Sequence, residues 1–459
     1  MSAARAEFRA AFVSLKIPNY RILWWGGVFS FMSVQMQFLL RGILAWDLTE
    51  RESALGLVYL VFGLTMLVAT PLGGVAADRF PRRTVLLVSQ GALALGAAFM
   101  GFAVITDQIA FWMVLVAGSI QGISFGFYGP ARVAFAADLV GRDQLGNAIT
   151  LSLLSMSATR IFAPALAGVL AGVAFVGIGG AYLISAAFSL ASFISILRLP
   201  TIAIDSPSKR NPIADIAEGV RYVRRDRSLK LLVVTSFFVI MFGFNYVAFM
   251  PAMVKDIFDL GDSWLGIISS ASAFGAVAVS VPLASRADSP KAKRVMAYAG
   301  MIFGGFVIVL GATPNFWTAF AVVLLVGAAT TAYQSLSNTL ALQMSDNLHQ
   351  GRVQSLMQLS FAGFGIASAP LGVLAEAIGL RQTFMVMGAV ALASSVFYFV
   401  AEVTGKPEGF GRVHPLDGPE PEASADVAQP EAERSAVGSR AVEPDTGSDP
   451  VPGSELSRS

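Results

Sequence analysis

The chain has 459 residues, of which 55% are hydrophobic and only 14% are charged, and its formal net charge is +2. Since soluble globular domains carry about 25% charged residues, this composition excludes a water-soluble fold and predicts an integral membrane protein. The absence of cysteine excludes disulfides and thiolate sites, and the two histidines, His349 and His414, are too few for a histidine cluster, so we expect no metal and no cofactor.

Apolar segments recur along the chain at the length that a bilayer core requires of a helix, about 20 residues. They predict twelve transmembrane helices and an all-α fold. The predicted spans lie near residues 20–44, 54–77, 84–106, 109–133, 147–173, 177–199, 231–254, 263–285, 294–313, 316–343, 353–378 and 381–403. The first span is too long for the core of a signal peptide, so we expect no cleaved signal.

The distribution of basic residues predicts the orientation of these helices. The N-terminal segment and every second connection are rich in Lys and Arg, whereas the alternate connections carry few. The basic positions are Arg5, Arg9, Lys16, Arg21, Arg79, Arg82, Arg83, Arg132, Arg142, Lys209, Arg210, Arg221, Arg224, Arg225, Arg227, Lys230, Arg286, Lys291, Lys293 and Arg294. Because basic connections tend to remain in the cytoplasm, both termini are predicted to be cytoplasmic.

Two polar stretches divide the chain into domains. Residues 200–230 include "IADIAEGVRYVRRDRSLK", which predicts an amphipathic helix along the cytoplasmic membrane surface. Residues 404–459 are rich in Pro, Glu, Ser and Ala and predict a disordered, net-acidic tail. The remaining residues, 1–199 and 231–403, form two predicted six-helix halves. The short repeat of "AGVLAG" and "LGVLAE" supports two related halves, an architecture typical of transporters.

A charged turn, "GGVAADRFPRR", joins the second and third predicted helices. Its spacing, Gly74-x-x-x-Asp78-Arg79-x-x-Arg82-Arg83, resembles the signature G-x-x-x-D-R-x-G-R-K/R of the major facilitator superfamily. Proline replaces the second glycine of that signature and still favours a tight turn. A glycine lets another helix approach closely, and a carboxylate favours the positive N-terminal end of a helix. The resemblance implies a cytoplasmic latch between the two halves.

The same resemblance implies partners for the latch. It places Asp78 against the start of the eleventh helix, "GRVQSL", where Arg352 is available, and it pairs Arg82 with Asp138. The predicted gating residues are Gly74, Asp78, Arg79, Arg82, Arg83, Asp138 and Arg352. The alternative is that these arginines only anchor the topology. Further stretches across residues 15–403, including "SATRIFAPALAGVLAG", resemble a bacterial branch of enterobactin-type siderophore exporters and macrolide efflux proteins.

Two further superfamily patterns are altered in this chain. The fourth helix reads Leu115-x-x-Gly118-x-x-Gln121-Gly122 where proton-linked members have L-x-x-R-x-x-Q-G, so the arginine is absent. The fifth helix reads "APALAG" where exporters have G-P-x-x-G-G, which keeps the close packing expected against the eighth helix. Because no Asp or Glu lies near the centre of any predicted span, proton coupling is weakly supported.

Two arginines lie inside predicted spans. Arg160 is near the middle of the fifth helix, where a charge costs about 2.5–3.5 kcal/mol on insertion scales. It either binds an anionic or carbonyl-rich substrate or bonds to polar groups of neighbouring helices. Arg41 is near a helix end, and its expected role is to extend toward the membrane surface.

The other candidate substrate-binding residues are polar side chains on the first, fourth, seventh and tenth helices, which line the central cavity in the fold that the resemblance implies. They are Gln35, Gln37, Gln121, Tyr128, Asn245, Tyr246, Gln334 and Asn338. Each is either a cavity residue or one partner of a helix–helix hydrogen bond.

These observations predict a secondary-active exporter of small amphipathic organic molecules that works by alternating access. Import of a nutrient is the alternative, and a non-transporting membrane protein is a third. The chain has no phosphate-binding loop for an ATP-driven pump and no constellation of catalytic side chains, so we do not expect an enzyme. The expected partners are a small-molecule substrate, the lipid bilayer and protons as the candidate coupling ion. Nucleic acid is not expected, and the predicted form is a monomer in the inner membrane.

Overall fold

The computed structural model describes residues 13–141, 144–202, 212–284, 291–346 and 349–403. Every regular element in these ranges is helical, and no strand occurs in them. The predicted tail, residues 404–459, lies outside the described ranges. Several basic residues used to predict the topology also lie outside them, namely Arg5, Arg9, Arg142, Lys209, Arg210 and Arg286.

Twelve long helical segments and one shorter helix, here called the linker helix, follow one another along the described chain. They are α1 (Pro18–Thr49), α2 (Glu52–Arg79), α3 (Arg82–Ile105), α4 (Phe111–Val140), α5 (Leu145–Gly172), α6 (Gly177–Leu197), the linker helix (Pro212–Arg225), α7 (Arg227–Ile257), α8 (Asp262–Ala284), α9 (Ala292–Gly311), α10 (Phe316–Gln343), α11 (Gln350–Ile378) and α12 (Leu380–Tyr398). Eleven of these segments are long and apolar enough to cross a membrane. In α11 the described apolar stretch, Ala362–Ile378, is shorter.

The helix ends follow local sequence signals. Asp226 begins α7 by accepting a hydrogen bond from the Leu229 N–H at 2.8 Å. Asn315 and Thr318 form a reciprocal capping box at the start of α10. Proline lies inside α2, α4, α5, α7 and α11 without ending the helix. Neighbouring helices and polar side chains can satisfy the freed carbonyls in such membrane helices.

The first half consists of α1–α6 and the second of α7–α12. Within the first half, α2 packs along α4, and α3 along α6. Two seams join the halves, one between α2 and α11 and the other between α5 and α8. Glycines allow both contacts, because a Cβ on Gly63 would lie 2.8 Å from the Gly365 Cα and one on Gly168 would lie 2.3 Å from the Gly266 Cα. Gly168 closes the "APALAG" stretch, so the expected packing of the fifth helix against the eighth is present.

The bundle has two chemically different ends. The acidic end is defined by Asp47, Glu52, Asp262 and Glu376, and the basic end by Arg79, Arg82, Arg83 and Arg352. The connection between α1 and α2 lies at the acidic end, and that between α2 and α3 lies at the basic end. The two ends therefore provide separate places at which the halves can meet.

Candidate functional site

At the acidic end, charged groups tie the two halves together. Lys255 of α7 pairs with Asp47 of α1 and lies 2.5 Å from Asp262 of α8. Glu376 of α11 accepts hydrogen bonds from the Ser53 hydroxyl at 2.6 Å and from the Ser53 N–H at 3.2 Å, at the first turn of α2. A carboxylate is favourable at a helix N-terminus, so these contacts close the acidic end.

Next to these contacts, aromatic rings fill the space between the halves. Phe364 of α11 lies 5.9 Å from Phe38 of α1 and 5.8 Å from Tyr59 of α2, measured between ring centres. Phe244 of α7 lies 6.0 Å from the same ring. Edge and tilted contacts at these separations are the favourable arrangements for aromatic pairs. The rings therefore form a second, apolar layer of closure next to the ionic one.

At the basic end, the charged turn is bonded within its own half. Arg82 forms an ion pair with Asp138 of α4, so the two residues that the resemblance paired are in contact. Arg83 donates to the Leu197 carbonyl at 2.7 Å and to the Thr201 hydroxyl at 2.9 Å, at the end of α6. Arg79 is exposed. The turn thus fixes α2 and α3 against α4 and α6.

The expected contact between Asp78 and Arg352 is absent from the described structure. Arg352 instead pairs with Glu218 of the linker helix at 2.8 Å. The linker helix also holds the start of α11 through Tyr222, whose ring stacks on His349 at 4.1 Å. Partial burial raises the pKa of the Tyr222 phenol above its ordinary value. The specific pair of Asp78 with Arg352 is therefore not among the described ion pairs, and the latch itself stays a prediction.

The expected close approach at Gly74 is also absent. A Cβ on Gly74 would meet nothing within 4 Å, whereas one on Gly73 would lie 2.3 Å from the Gly126 carbonyl oxygen of α4. The neighbouring glycine makes the close contact because a shift of one residue rotates a helix position by about 100°. The motif residue is left facing open space.

Arg160 and Gln334 meet across the two halves, about midway along α5 and α10. The Arg160 Nη1 donates to the Gln334 Oε1 at 3.2 Å. The amide nitrogen of Gln334 has no hydrogen-bond partner among the described residues. Gln35 and Asn338 are half-buried, and the buried hydroxyl of Tyr128 has no hydrogen-bond partner among the described residues. The structure thus joins two predicted site residues, and the roles of the other three stay predictions.

Three of the remaining four polar candidates bond to a neighbouring helix, and the fourth, Gln37, bonds within α1. Gln37 donates to the Ser33 hydroxyl at 2.8 Å, and Gln121 donates to the Val34 carbonyl at 2.8 Å. Asn245 donates to the Phe364 carbonyl at 3.1 Å and Tyr246 lies 3.3 Å from the Ser272 hydroxyl. These contacts satisfy buried polar groups and favour the structural alternative for the three that bond to a neighbouring helix.

Two buried arginines differ from the sequence-based expectation. Arg41 is 1% exposed, so the prediction that it reaches the membrane surface is wrong. Arg132 was assigned to a connection, but α4 continues to Val140 and Arg132 is 6% exposed inside it. Its guanidinium lies over Phe31 at 5.2 Å and fills the space beside Gly27. Gly27, on α1, is a sequence feature that is consistent with this buried position of Arg132, because a residue without a side chain leaves room for the guanidinium.

Among the described residues, no group of three or more His, Asp or Glu side chains could hold a metal ion. A cavity of about 700 Å³ opens at the acidic end, lined by Glu50, Arg51, Glu52, Asp256, Glu376 and Arg381 among others. It lies outside the closed contacts, away from Arg160 and Gln334, so we regard it as a vestibule and not as the central site.

Known proteins resemble this chain in sequence and in fold. It is 25% identical over 377 residues to the enterobactin exporter EntS of Salmonella choleraesuis, covering 81% of this chain and 85% of that protein. It is 21% identical over 365 residues to the staphyloferrin A transporter of Staphylococcus aureus, covering 75% and 87%.

Solved structures support the fold alone. The nucleoside transporter NupG matches with a TM-score of 0.65 at 13% identity, covering 83% of this chain and 99% of that one. A bacterial homolog of the human lysosomal transporter Spinster, in an inward-facing and unoccupied conformation, matches at 0.66 and 15%, covering 84% and 98%. The sequence model of the Major Facilitator Superfamily matches residues 23–370 and 232–435. This chain, a membrane transporter by its helices, its charged turn and its relatives, belongs to the Major Facilitator Superfamily.

Proposed function

We propose that this protein is a secondary-active exporter of small amphipathic organic molecules and works by alternating access. The observation that carries the proposal is the unequal state of the two ends. Lys255 and Glu376 tie the halves at the acidic end, while Arg352 at the basic end pairs with the linker helix. In an alternating-access transporter the contacts between the halves on the two sides of the central site form and break in turn, so different contacts at the two ends support this mechanism.

The central site in this proposal is built around Arg160 and Gln334. The pair spans the two halves at mid-depth, where a transporter of this architecture binds its cargo. A guanidinium there favours a cargo with an anionic or carbonyl-rich group, because only such a group offsets the loss of water around the charge. Gln35, Tyr128 and Asn338 would complete the site. In this proposal, the Arg160 guanidinium releases the amide oxygen of Gln334 and binds the cargo in its place.

The names of the relatives support the proposed direction of transport. The enterobactin exporter carries export in its name, which supports export here. Import of a small nutrient remains the second candidate because the fold is shared with a nucleoside transporter. In this proposal the helices number twelve, both termini are cytoplasmic, and the protein acts as a monomer in the inner membrane. The basic end then faces the cytoplasm, as the distribution of Lys and Arg predicts.

Two assays test the proposal. A panel of drugs and siderophores is applied to cells lacking other efflux pumps, with and without this protein, and inverted vesicles then measure uptake of any protected compound. An exporter accumulates the compound inside inverted vesicles without ATP, and an uncoupler abolishes accumulation if protons drive it. Accumulation only in right-side-out vesicles would establish import instead. A reporter that fluoresces only in the cytoplasm, fused to each terminus, tests the topology.

A site variant tests the role of Arg160. Arg160→Ala should nearly abolish transport of an anionic compound and should affect a neutral one less. Arg160→Lys keeps the charge but loses the planar donor fork, and it should raise the apparent KM about tenfold, the usual effect of losing a charged hydrogen bond. Arg198→Ala, at an exposed arginine after α6, is the control. Equal losses for anionic and neutral compounds, per folded molecule, would show that Arg160 is only structural.

A further inference from the structure

Arg41 is a buried charge that the proposed central site does not use. It lies in α1 with 1% of its surface exposed, and its Nε, Nη1 and Nη2 atoms have no hydrogen-bond partner among the described residues. Arginine cannot lose its proton in a protein and always presents five N–H donors. A buried charge without acceptors is strongly unfavourable, so its persistence points to a ligand.

Among the described residues, aromatic faces surround Arg41 and no carboxylate forms an ion pair with it. Its guanidinium carbon lies 5.7, 5.6 and 5.2 Å from the ring centres of Phe38, Tyr59 and Phe62. Ring faces attract a cation, but they accept no hydrogen bond in the plane of the guanidinium. The carboxylate that follows along α1, Asp47, is engaged with Lys255 at the acidic end. The positive charge is therefore stabilised only in part.

Gly118 makes room for this guanidinium. A Cβ at position 118 would lie 3.3 Å from the Arg41 Nη1. Position 118 is also the one at which the superfamily pattern of the fourth helix has arginine. The positive charge that α4 lacks is thus supplied to the same region by α1.

A second unpartnered donor accompanies Arg41. The hydroxyl of Tyr182, on α6, is buried and has no hydrogen-bond partner among the described residues. α6 packs antiparallel along α1, because the Ser33 hydroxyl donates to the Ser185 carbonyl at 2.7 Å and a Cβ on Gly26 would lie 3.2 Å from the Ser195 Cβ. This register places Tyr182 within about one helical turn of the level of Arg41. A guanidinium and a phenol on two packed helices, both without an acceptor among the described residues, match the donors that hold an oxyanion.

The rings over Arg41 connect it to the other half of the protein. Phe38 and Tyr59 each contact the Arg41 guanidinium, and each also packs on Phe364 of α11. Phe364 is 2% exposed in this conformation. When the halves separate at the acidic end, α11 moves away with Phe364, and the two rings lose the surface that holds them over the charge.

We propose that Arg41 and Tyr182 form a binding site for a carboxylate or similarly compact anionic group, covered by Phe38 and Tyr59 and opened when Phe364 withdraws. This inference rests on the proposed function in one respect, because it expects the cargo to carry such a group. The group reaches the site from the acidic end once that end has opened. A free anion from solution shares the same chemistry and is the other source.

The test uses the purified full-length chain in lipid nanodiscs, with sodium acetate titrated against sodium HEPES at constant ionic strength. The fluorescence of the six tryptophans reports the unfolding midpoint. We expect a saturable rise in the midpoint for the wild type and no rise for Arg41→Met. Without acetate, Arg41→Met should be the more thermostable protein, because an unpaired buried charge is gone. Arg198→Met, at an exposed arginine after α6, is the control and should keep the response.

Two milder variants keep the test decisive if Arg41→Met does not fold. Tyr182→Phe should raise the half-saturating acetate concentration about tenfold, as expected for losing one charged hydrogen bond. Phe364→Ala should lower that concentration, because less energy is needed to uncover the site. An acetate response that is absent in the wild type, or that is unchanged in Arg41→Met, would overturn the proposal. So would unchanged half-saturating concentrations in both milder variants.

The source of the anionic group is settled by competition. A transported compound that raises the half-saturating acetate concentration shares the site, which assigns the site to the cargo. A transported compound that leaves this concentration unchanged assigns the site to a free anion. Because the titration needs no transport, failure to find any exported compound would count against the proposed function and not against the site.

Discussion

At the level of single residues, the basic end offers Arg352 two carboxylates, Glu218 and the predicted partner Asp78. Arg352 is held by Glu218 at 2.8 Å, and no described ion pair joins it to Asp78. Both carboxylates lie near the same region, one on the linker helix and one at the end of α2. When the halves close at the basic end, we expect Arg352 to leave Glu218 and to pair with Asp78. Glu218 of the linker helix and Asp78 of the latch would then compete for the same arginine.

We expect Glu218→Gln to favour closure of the basic end. An ion pair that is partly exposed contributes about 0.2–1 kcal/mol, so the population of the closed form should rise by up to about fivefold. The chain has no native cysteine. A cysteine introduced by Gly129→Cys, at a position with open space around it, is therefore the single thiol that a reagent can label. Its labelling rate by a thiol reagent should fall.

The control for this prediction is Asp107→Asn, which removes one exposed carboxylate at the opposite end of α3. It should leave labelling unchanged. Asp78→Asn should act in the opposite sense to Glu218→Gln, because it removes the competing partner and weakens the latch. If both Glu218→Gln and Asp78→Asn leave labelling at the wild-type rate, Arg352 is not the group that the two carboxylates share.

At the scale of elements, the seams between the halves depend on glycine. Gly168 of α5 faces the Gly266 backbone of α8 so closely that any side chain would displace one helix. Small residues at such positions allow helices to approach within membranes, where packing replaces the hydrophobic effect as the attraction between helices. A larger side chain at Gly168 would therefore push α5 and α8 apart.

We predict that Gly168→Val destabilises the closed state by about 1–3 kcal/mol, the usual cost of overpacking a close contact. The unfolding midpoint should fall and labelling of the Gly129→Cys reporter should change, because the halves can no longer meet along this seam. Gly305→Ala, in α9 with open space around it, is the matched control. A normal midpoint for Gly168→Val would mean that α5 and α8 do not pack this closely.

At the scale of the whole molecule, Lys255 joins three helices from both halves. It pairs with Asp47 of α1 and with Asp262 of α8, so removing it would break one contact between the halves and leave two carboxylates without their shared cation. The resulting repulsion adds to the lost attraction. This lysine and Glu376 are thus the principal polar contacts that we find across the acidic end.

We expect Lys255→Met to shift the protein toward the state that is open at the acidic end. Two partly buried pairs of roughly 1 kcal/mol each imply a population shift of about tenfold or more. Because alternating access closes the basic end at the same time, labelling of the Gly129→Cys reporter should decrease. The control is Lys293→Met, which breaks an ion pair with Glu402 inside the second half. Increased labelling in Lys255→Met would contradict the assignment of this contact as a lock.

The amino-acid sequence predicted the class of protein and the approximate positions of its helices, because these follow from the lengths of apolar runs along the chain. The family resemblance implied the pairing of Arg82 with Asp138, and the two side chains are in contact. Only the tertiary structure decided that Arg41 is buried, that Gly73 and not Gly74 makes the close approach, and that Arg352 binds Glu218. In a membrane the lipid-facing and the core-facing sides of a helix are both apolar, so the sequence carries little signal for which side chain turns inward.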